Sequence, residues 1–331
     1  LPEEDANVRR NYLILMFLCA ALVVSVVIYA NGATDLDVDY AEHLPLATES
    51  MVLDMTRAGD TVVAVGERGH VLLKHDGGQW TQAEVVPTRV TLTSVTYTDG
   101  RLWAGGHDAV IITSGDRGET WTRLHFDPDR QQAVMDLYFT DEDNGTAIGS
   151  YGLYLQTRDG GQTWEDIEID PEGGYHLNKM LRFDDGRRLI AGEAGYSYRS
   201  YDDGATWERL ALPYQGSMWG ALRVDEECVL FFGLRGHALE SCDFGTTWTE
   251  VATGTEASIS DGATWNGKVL MAANSGVVLT KDDGHSWKAI KHSSGVDFAA
   301  ALSLGDGRFL LAGEDGVFEY PEIPAEESGD E

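Results

Sequence analysis

The chain is 331 residues long, 43% apolar and 24% charged, and its 55 Asp and Glu against 24 Lys and Arg give a formal net charge of −31. A surface of that sign repels nucleic acid and anionic lipid headgroups, which excludes the functions that depend on holding them. It suits a saline environment, a basic partner surface or divalent cations.

Residues 1–10 form a short tail holding Arg9 and Arg10, followed by an uncharged apolar run from Tyr12 to Ala30. Nineteen residues at about 1.5 Å each span roughly 28 Å, close to the hydrocarbon thickness of about 30 Å. The spacing predicts one membrane-spanning helix within residues 11–30, bounded by Tyr12 and Tyr29 as interfacial aromatics. Arginines before it and Asp35, Asp37 and Asp39 after it orient the N-terminus to the cytoplasm and export the remainder. The run is longer than the apolar core of a cleaved signal peptide. Ala21 and Ser25 form a small-x-x-x-small pair of the kind that packs helices, a spacing that chance also produces.

From residue 51 onward the chain repeats. SGDRGETW (Ser114 to Trp121), TRDGGQTW (Thr157 to Trp164), SYDDGATW (Ser200 to Trp207), SCDFGTTW (Ser241 to Trp248) and TKDDGHSW (Thr280 to Trp287) share one pattern, and a shortened KHDGGQW ends at Trp80. Successive terminal tryptophans are 41, 43, 43, 41 and 39 residues apart, the period of a repeat architecture. Each period also holds an apolar run ending in a Gly-x-x-Gly-like turn, from VVAVGERG (Val62 to Gly69) to LLAGEDG (Leu310 to Gly316), and these number seven. Four short runs per period, separated by Asp-Gly or Gly-rich turns, predict a four-stranded antiparallel meander, which at this period is a propeller blade.

Seven turns against six octets leave the last blade one strand short. The expectation is an all-β, seven-bladed propeller over 51–321, rather than an eight-bladed one. Its ring is closed by a strand from Asp37 to Leu46 within the linker 31–50, and an acidic tail follows at 322–331. The aspartates Asp76, Asp116, Asp159, Asp202, Asp243 and Asp282 are expected to hold turns by accepting backbone N–H bonds. Trp80, Trp121, Trp164, Trp207, Trp248 and Trp287 are expected to pack between neighbouring sheets. A catalytic residue is needed once, whereas a structural staple is needed in every blade. DEDNG (Asp141 to Gly145) lacks the glutamate that closes a calcium loop, and is expected to be a turn. Cys228 and Cys242 stand symmetrically about Arg235 in CVLFFGLRGHALESC, which predicts cross-strand neighbours and a disulfide.

The octets resemble the Asp-box, or bacterial neuraminidase repeat. The full period over about Met51 to Tyr320 is similar to the photosystem II stability/assembly factor-like family of propellers. That resemblance implies a seven-bladed scaffold that binds membrane-protein partners during assembly. In bacteria without photosynthesis it implies an accessory of resistance-nodulation-division transporters for hydrophobic substrates. Asp-boxes also occur in sialidases and other glycan-processing propellers, so fold alone does not set function.

No His-x-x-x-His or Cys-x-x-Cys spacing, P-loop or nucleophile elbow is present, and the sialidase arginine-isoleucine-proline element is missing. Arg57, Arg68, Arg182, Arg199 and Arg235 are scattered over several blades, which leaves open whether they converge. The expectation is no enzyme, no metal and no cofactor. Partner-binding candidates are Arg68, His107, Tyr151 and Arg235 on the Gly-x-x-Gly turns, with Tyr214 and Trp219 in the connection YQGSMW; ordinary solvated turns would look the same. The sequence thus predicts a single-pass inner-membrane protein whose periplasmic propeller serves a multi-pass partner, a resistance-nodulation-division transporter by resemblance. A photosystem-type assembly factor and a glycan-binding propeller are the alternatives.

Overall fold

The computed structural model describes residues 38–281 and 286–321. The chain divides into two compact units, Leu1–Asp39 and Tyr40–Glu331, and every strand among the described residues lies in the second. The expected membrane helix, with Cys19, Ala21 and Ser25, lies outside the described residues, as do Asp282 and the acidic tail. Among the described residues no helix is long and apolar enough to cross a membrane.

Six antiparallel sheets have four strands each in simple meander order, and a seventh has three. Each sheet begins with a strand of six or seven residues. These seven strands are Val52–Ala58, Leu92–Thr98, Val134–Phe139, Leu177–Arg182, Met218–Arg223, Ile259–Trp265 and Phe298–Ser303. They touch their neighbours in a closed ring, the last meeting the first, and so line the central channel. The result is a seven-bladed propeller. The second strands are buried along their whole length, as in Val229–Gly233, or from their second residue on, as in Arg101–Gly106 and Lys268–Ala273, because sheets cover both of their faces.

Seven apolar clusters fill the seven junctions between blades. Trp121 packs with Val63 and Leu73 of blade 1 and Leu102 of its own blade, and Trp164, Trp207, Trp248, Trp287 and Trp80 seal five further junctions in the same way. The junction between blades 6 and 7 has no box tryptophan among the described residues and uses Trp265 of the innermost strand with Phe298, Phe309 and Phe318 instead.

The expected ring-closing strand does not form. Residues 38–46 contain no strand, and residues 41–46 run along the outer edge of blade 1. There the Ala41 N–H donates to the Val86 carbonyl at 3.0 Å, and the Leu44 N–H to Gln82 Oε1 at 3.1 Å. Pro45 has no N–H to offer a ladder, and the chain turns through a 3-10 helix at Ala47–Glu49 before entering blade 1. Among the described residues the seventh blade therefore keeps three strands, and side chains alone close the ring. Ala47, Val52 and Met55 pack with Ala300 and Leu310, Arg57 Nη1 donates to the Leu304 carbonyl at 3.1 Å, and Lys74 pairs with Glu319 at 3.1 Å.

Candidate functional site

The octets are turns between the third and fourth strands, and their polar groups bond to one another. In SYDDGATW, Ser200 Oγ donates to Asp202 Oδ1 at 2.8 Å while accepting the Gly204 N–H at 2.9 Å. The same carboxylate accepts the Thr206 N–H at 2.8 Å and the Thr206 hydroxyl at 2.6 Å. Trp207 Nε1 donates to the Gly204 carbonyl at 3.0 Å. The set recurs around Asp116, Asp159 and Asp243. Bonds from Thr163 and Thr247 hold the Asp159 and Asp243 carboxyls down at about 2. The second aspartate of the octet acts elsewhere, since Asp203 takes both Nε and Nη2 of the buried Arg188.

Asp76 departs from this pattern. Lys74 stands where the other boxes have Ser or Thr, the box is one residue short, and the carboxylate pairs with Arg57 at 3.1 Å instead. In DEDNG the Asp141 carboxylate accepts the Asp143 and Asn144 N–H groups at 2.9 and 2.8 Å, closing a turn. Cys228 and Cys242 are joined by a disulfide, with Cα atoms 4.0 Å apart.

The Gly-x-x-Gly turns carry one backbone feature in all seven blades. Arg68, Asp108, Tyr151, Ala194, Arg235, Ser275 and Asp315 occupy the left-handed region, with φ between 52° and 63°. Side chains other than glycine, asparagine and aspartate pay for that conformation. The following residue is also left-handed and is glycine in six blades. At Gly69 a Cβ would stand 2.2 Å from the Thr88 carbonyl oxygen, so no side chain fits. One face of the ring thus presents seven side chains from seven equivalent left-handed positions, five of them strained.

Arg68, Tyr151 and Arg235 occupy three of these positions and are exposed. His107 is one residue short of the equivalent position, which Asp108 fills. Tyr214 lies in the link between blades 4 and 5 and stacks on His237 at 3.9 Å. Trp219 stands on the innermost strand of blade 5, 36% exposed. Among the described residues no hydrogen bond, ion pair or ring contact joins any two of these six. They form a rim, not a cluster. The arginines do not converge either: Arg57 is bound at the seam of blades 7 and 1, Arg182 lies over Tyr138, and Arg199 holds Glu208.

A second constellation went unseen in the sequence. Every innermost strand carries a bulge, and the two residues there are Leu53–Asp54, Thr93–Ser94, Met135–Asp136, Asn178–Lys179, Trp219–Gly220, Ser260–Asp261 and Ala299–Ala300. The pair reaches the next blade wherever it is polar. Asp54, Asp136 and Asp261 accept the N–H groups of Val95, Met180 and Ala301 at 2.8, 2.9 and 2.9 Å. Asn178 and Ser260 donate to the Met218 and Phe298 carbonyls, both at 2.7 Å, and Thr93 donates to the Val134 carbonyl. Among the described residues five of the seven junctions are clamped in this way; Trp219–Gly220 and Ala299–Ala300 make no such bond.

Lys179 is the cation among these bulge pairs. Its Nζ lies 2.9 Å from Asp136 Oδ1, and Asp54 and Asp261 also act on its charge and hold its ammonium protonated. Burial pushes the Asp54 carboxyl up to about 7, against the pull of Lys179, and raises Asp261 for the same reason. These groups line a cavity of 450 Å³ with Tyr138 and Arg182. Among the described residues no group of three or more His, Cys, Asp or Glu is placed to hold a metal ion. The signal was present as a third repeat landmark, VLDM, VMDL and ISDG, in strands whose counterparts carry Ser94, Lys179, Gly220 and Ala300 at the same register.

No curated protein matches the chain. It is similar in fold to a structure described as "YCF48 bound to D1 peptide", at 18% identity and a TM-score of 0.68 over 87% of this chain and 96% of that one. It is also similar to YCF48 from Cyanidioschyzon merolae, at 18% identity and 0.66 over 85% and 97%, and to the WD40 propeller domain of Doa1, at 17% and 0.67 over 85% and 96%. At such identities the likeness is one of fold. Residues 125–264, from the last strand of blade 2 into blade 6, match the family described as photosynthesis system II assembly factor YCF48, and it is through this stretch that the chain resembles that family.

Proposed function

We propose that the propeller is a non-catalytic docking scaffold, an accessory or assembly subunit that engages a membrane-protein partner through the face of the seven left-handed turns. The observation that carries this reading is the contrast between the two kinds of polar group. The box carboxylates and the channel aspartates are consumed by turns and clamps, whereas Arg68, Tyr151 and Arg235 are held outward at a conformational cost. The apolar run at residues 12–30 would anchor the chain to the membrane. The disulfide between Cys228 and Cys242 favours an oxidising compartment, in keeping with a periplasmic propeller. A resistance-nodulation-division transporter is the partner class to which the sequence resemblance points.

A photosystem-type assembly role is the second reading, favoured by the match over residues 125–264. The D1 peptide bound to YCF48 suggests that an extended segment of a partner is what such a ring receives. A sialidase-like activity finds no support in arginines spread over blades 1, 4 and 5, of which Arg57, Arg182 and Arg199 are engaged by different partners. The test is purification of the tagged full-length chain in mild detergent with mass spectrometry of its companions. A stoichiometric multi-pass protein is expected and its identity separates the two readings; recovery of the propeller alone at several detergent strengths would overturn both.

A further inference from the structure

Between blades 3 and 4 the docking face is hollowed into a groove of 490 Å³. One wall is Tyr151, 62% exposed on its left-handed turn, its ring edge-on to His176 with centroids 4.9 Å apart. The opposite side is the ten-residue link from Ile167 to His176, fixed where Asp170 accepts the Tyr198 hydroxyl at 2.9 Å and where the Gly152 N–H donates to the Tyr175 carbonyl at 2.9 Å. Ile167, Ile169 and Leu177 supply apolar lining. The rim carries Asp166 and Glu168, with Glu172 beside it on the link, and Asp166 is exposed. Arg130 neutralises Asp166 at 2.5 Å, while among the described residues Glu168 and Glu172 face no cation.

Aromatic rings beside carboxylates left without a cation, over an apolar floor, suit one kind of side chain: a cation on an aliphatic stem. The fold already uses the same chemistry next door. Tyr175 stacks on Tyr196 at 3.6 Å, and the Arg209 guanidinium lies 3.5 Å from the centroid of the Tyr196 ring. The charge of the whole chain, −31, favours the same occupant.

We propose that this groove receives an extended segment of the partner that bears lysine or arginine, the cation lying between Tyr151 and Glu168 and its stem on Ile167 and Ile169. The assignment rests on the docking-scaffold reading and names the chemistry of what docks.

The test uses the full-length chain in detergent and a fluorescein-labelled octapeptide of alternating lysine and leucine, with the glutamate-leucine octapeptide as control, read by fluorescence anisotropy. Any basic peptide is drawn to so acidic a protein, so two variants are compared. Y151G combined with E168Q removes the groove's contacts and relieves the strained turn; E226Q combined with E227Q removes two charges, against one in the first variant, from an exposed turn of blade 5. Binding of the lysine peptide alone, weakened at least fivefold by the first variant and less than twofold by the second, is the expected result. Equal weakening by both, or none by either, overturns the groove as the site, as does failure of the lysine peptide to bind. The two readings fail separately: a Y151G/E168Q chain that still recovers its membrane partner in full leaves the scaffold standing and removes the groove, whereas a wild-type chain without any partner removes the scaffold.

Discussion

Lys179 Nζ sits 2.9 Å from Asp136 Oδ1, and the same carboxylate accepts the Met180 N–H through its other oxygen at 2.9 Å. One aspartate of blade 3 is therefore held by both the side chain and the backbone of blade 4. Replacing Lys179 with methionine strips the charge from the middle of three carboxylates. Asp136 is 8% exposed and Lys179 32%, so the loss is set below that of a fully buried pair, about 1 to 3 kcal/mol. Thermal unfolding should show it, and the K179M/D136N double variant should recover part of it; a double variant no better than K179M would show that the pair is not the cause.

The channel also dictates a pH dependence. Asp54 has a folded pKa of about 7 against an ordinary 3.8, so the folded chain holds this proton more tightly than the unfolded chain. Its contribution is fully present below about pH 4 and is lost as the pH rises through 7. Asparagine at this position can still accept the Val95 N–H and has no charge to bury. Urea midpoints should place D54N above wild type at pH 8 and level with it at pH 4, and equal gains at both would disprove the ionisation account.

The boxes titrate in the opposite sense. Asp159 and Asp243 are depressed to about 2 by the hydroxyl and backbone donors of Thr163 and Thr247, so their contribution is present above about 4 and is lost as the pH falls toward 2. Wild type should then show two separate arms, a loss of midpoint from pH 4 to 7 and another below 4. The T163A/T247A chain should lose less midpoint between pH 4 and 2 than wild type does.

Ser241 is buried and serves both Asp243 and the Gly245 N–H. S241A leaves that buried N–H unsatisfied and is expected to cost about 1 to 2 kcal/mol. S114A in blade 2, where Ser114 serves Asp116 and the Gly118 N–H in the same way, should add to it nearly in full, because blades 2 and 5 are not neighbours in the ring. Differential scanning calorimetry of the two single variants and the double would check both points.

The disulfide of blade 5 closes a 14-residue separation, for which chain entropy gives about 3 kcal/mol at most. Intact-mass analysis should find the non-reduced chain about 2 Da lighter than the reduced one, and C228S/C242S should melt several degrees lower. Two free thiols in native protein would remove the bond.

The blades were legible because their period is written twice, in the octets and in the Gly-x-x-Gly turns. Asp202 could be assigned to a turn because a serine, a glycine and a threonine stand at fixed offsets around it. Asp76 could not be separated from it by pattern alone, since its different fate depends on Arg57 across the sheet. The closing strand failed for a similar reason: DVDYAEHLPL has strand-like length, but Gln82 and Val86 offered nearer partners than blade 7. Asp54, Asp136, Lys179 and Asp261 are far apart in sequence and alike only in register, so their meeting in the channel becomes visible once the ring is closed. The left-handed turns were half visible, with His107 chosen where Asp108 holds the position.

Between blades 7 and 1 the described ring has no bulge-pair clamp, and blade 7 brings only three described strands to the contact, while five of the other six junctions are held by side-chain bonds to the backbone of the next blade. Mechanically it is a split washer, whose cut is pressed shut by apolar side chains and a few surface charges. Force or heat applied to such an object opens it at the cut, so strain introduced anywhere on the rim is relieved first at the place where the chain enters and leaves.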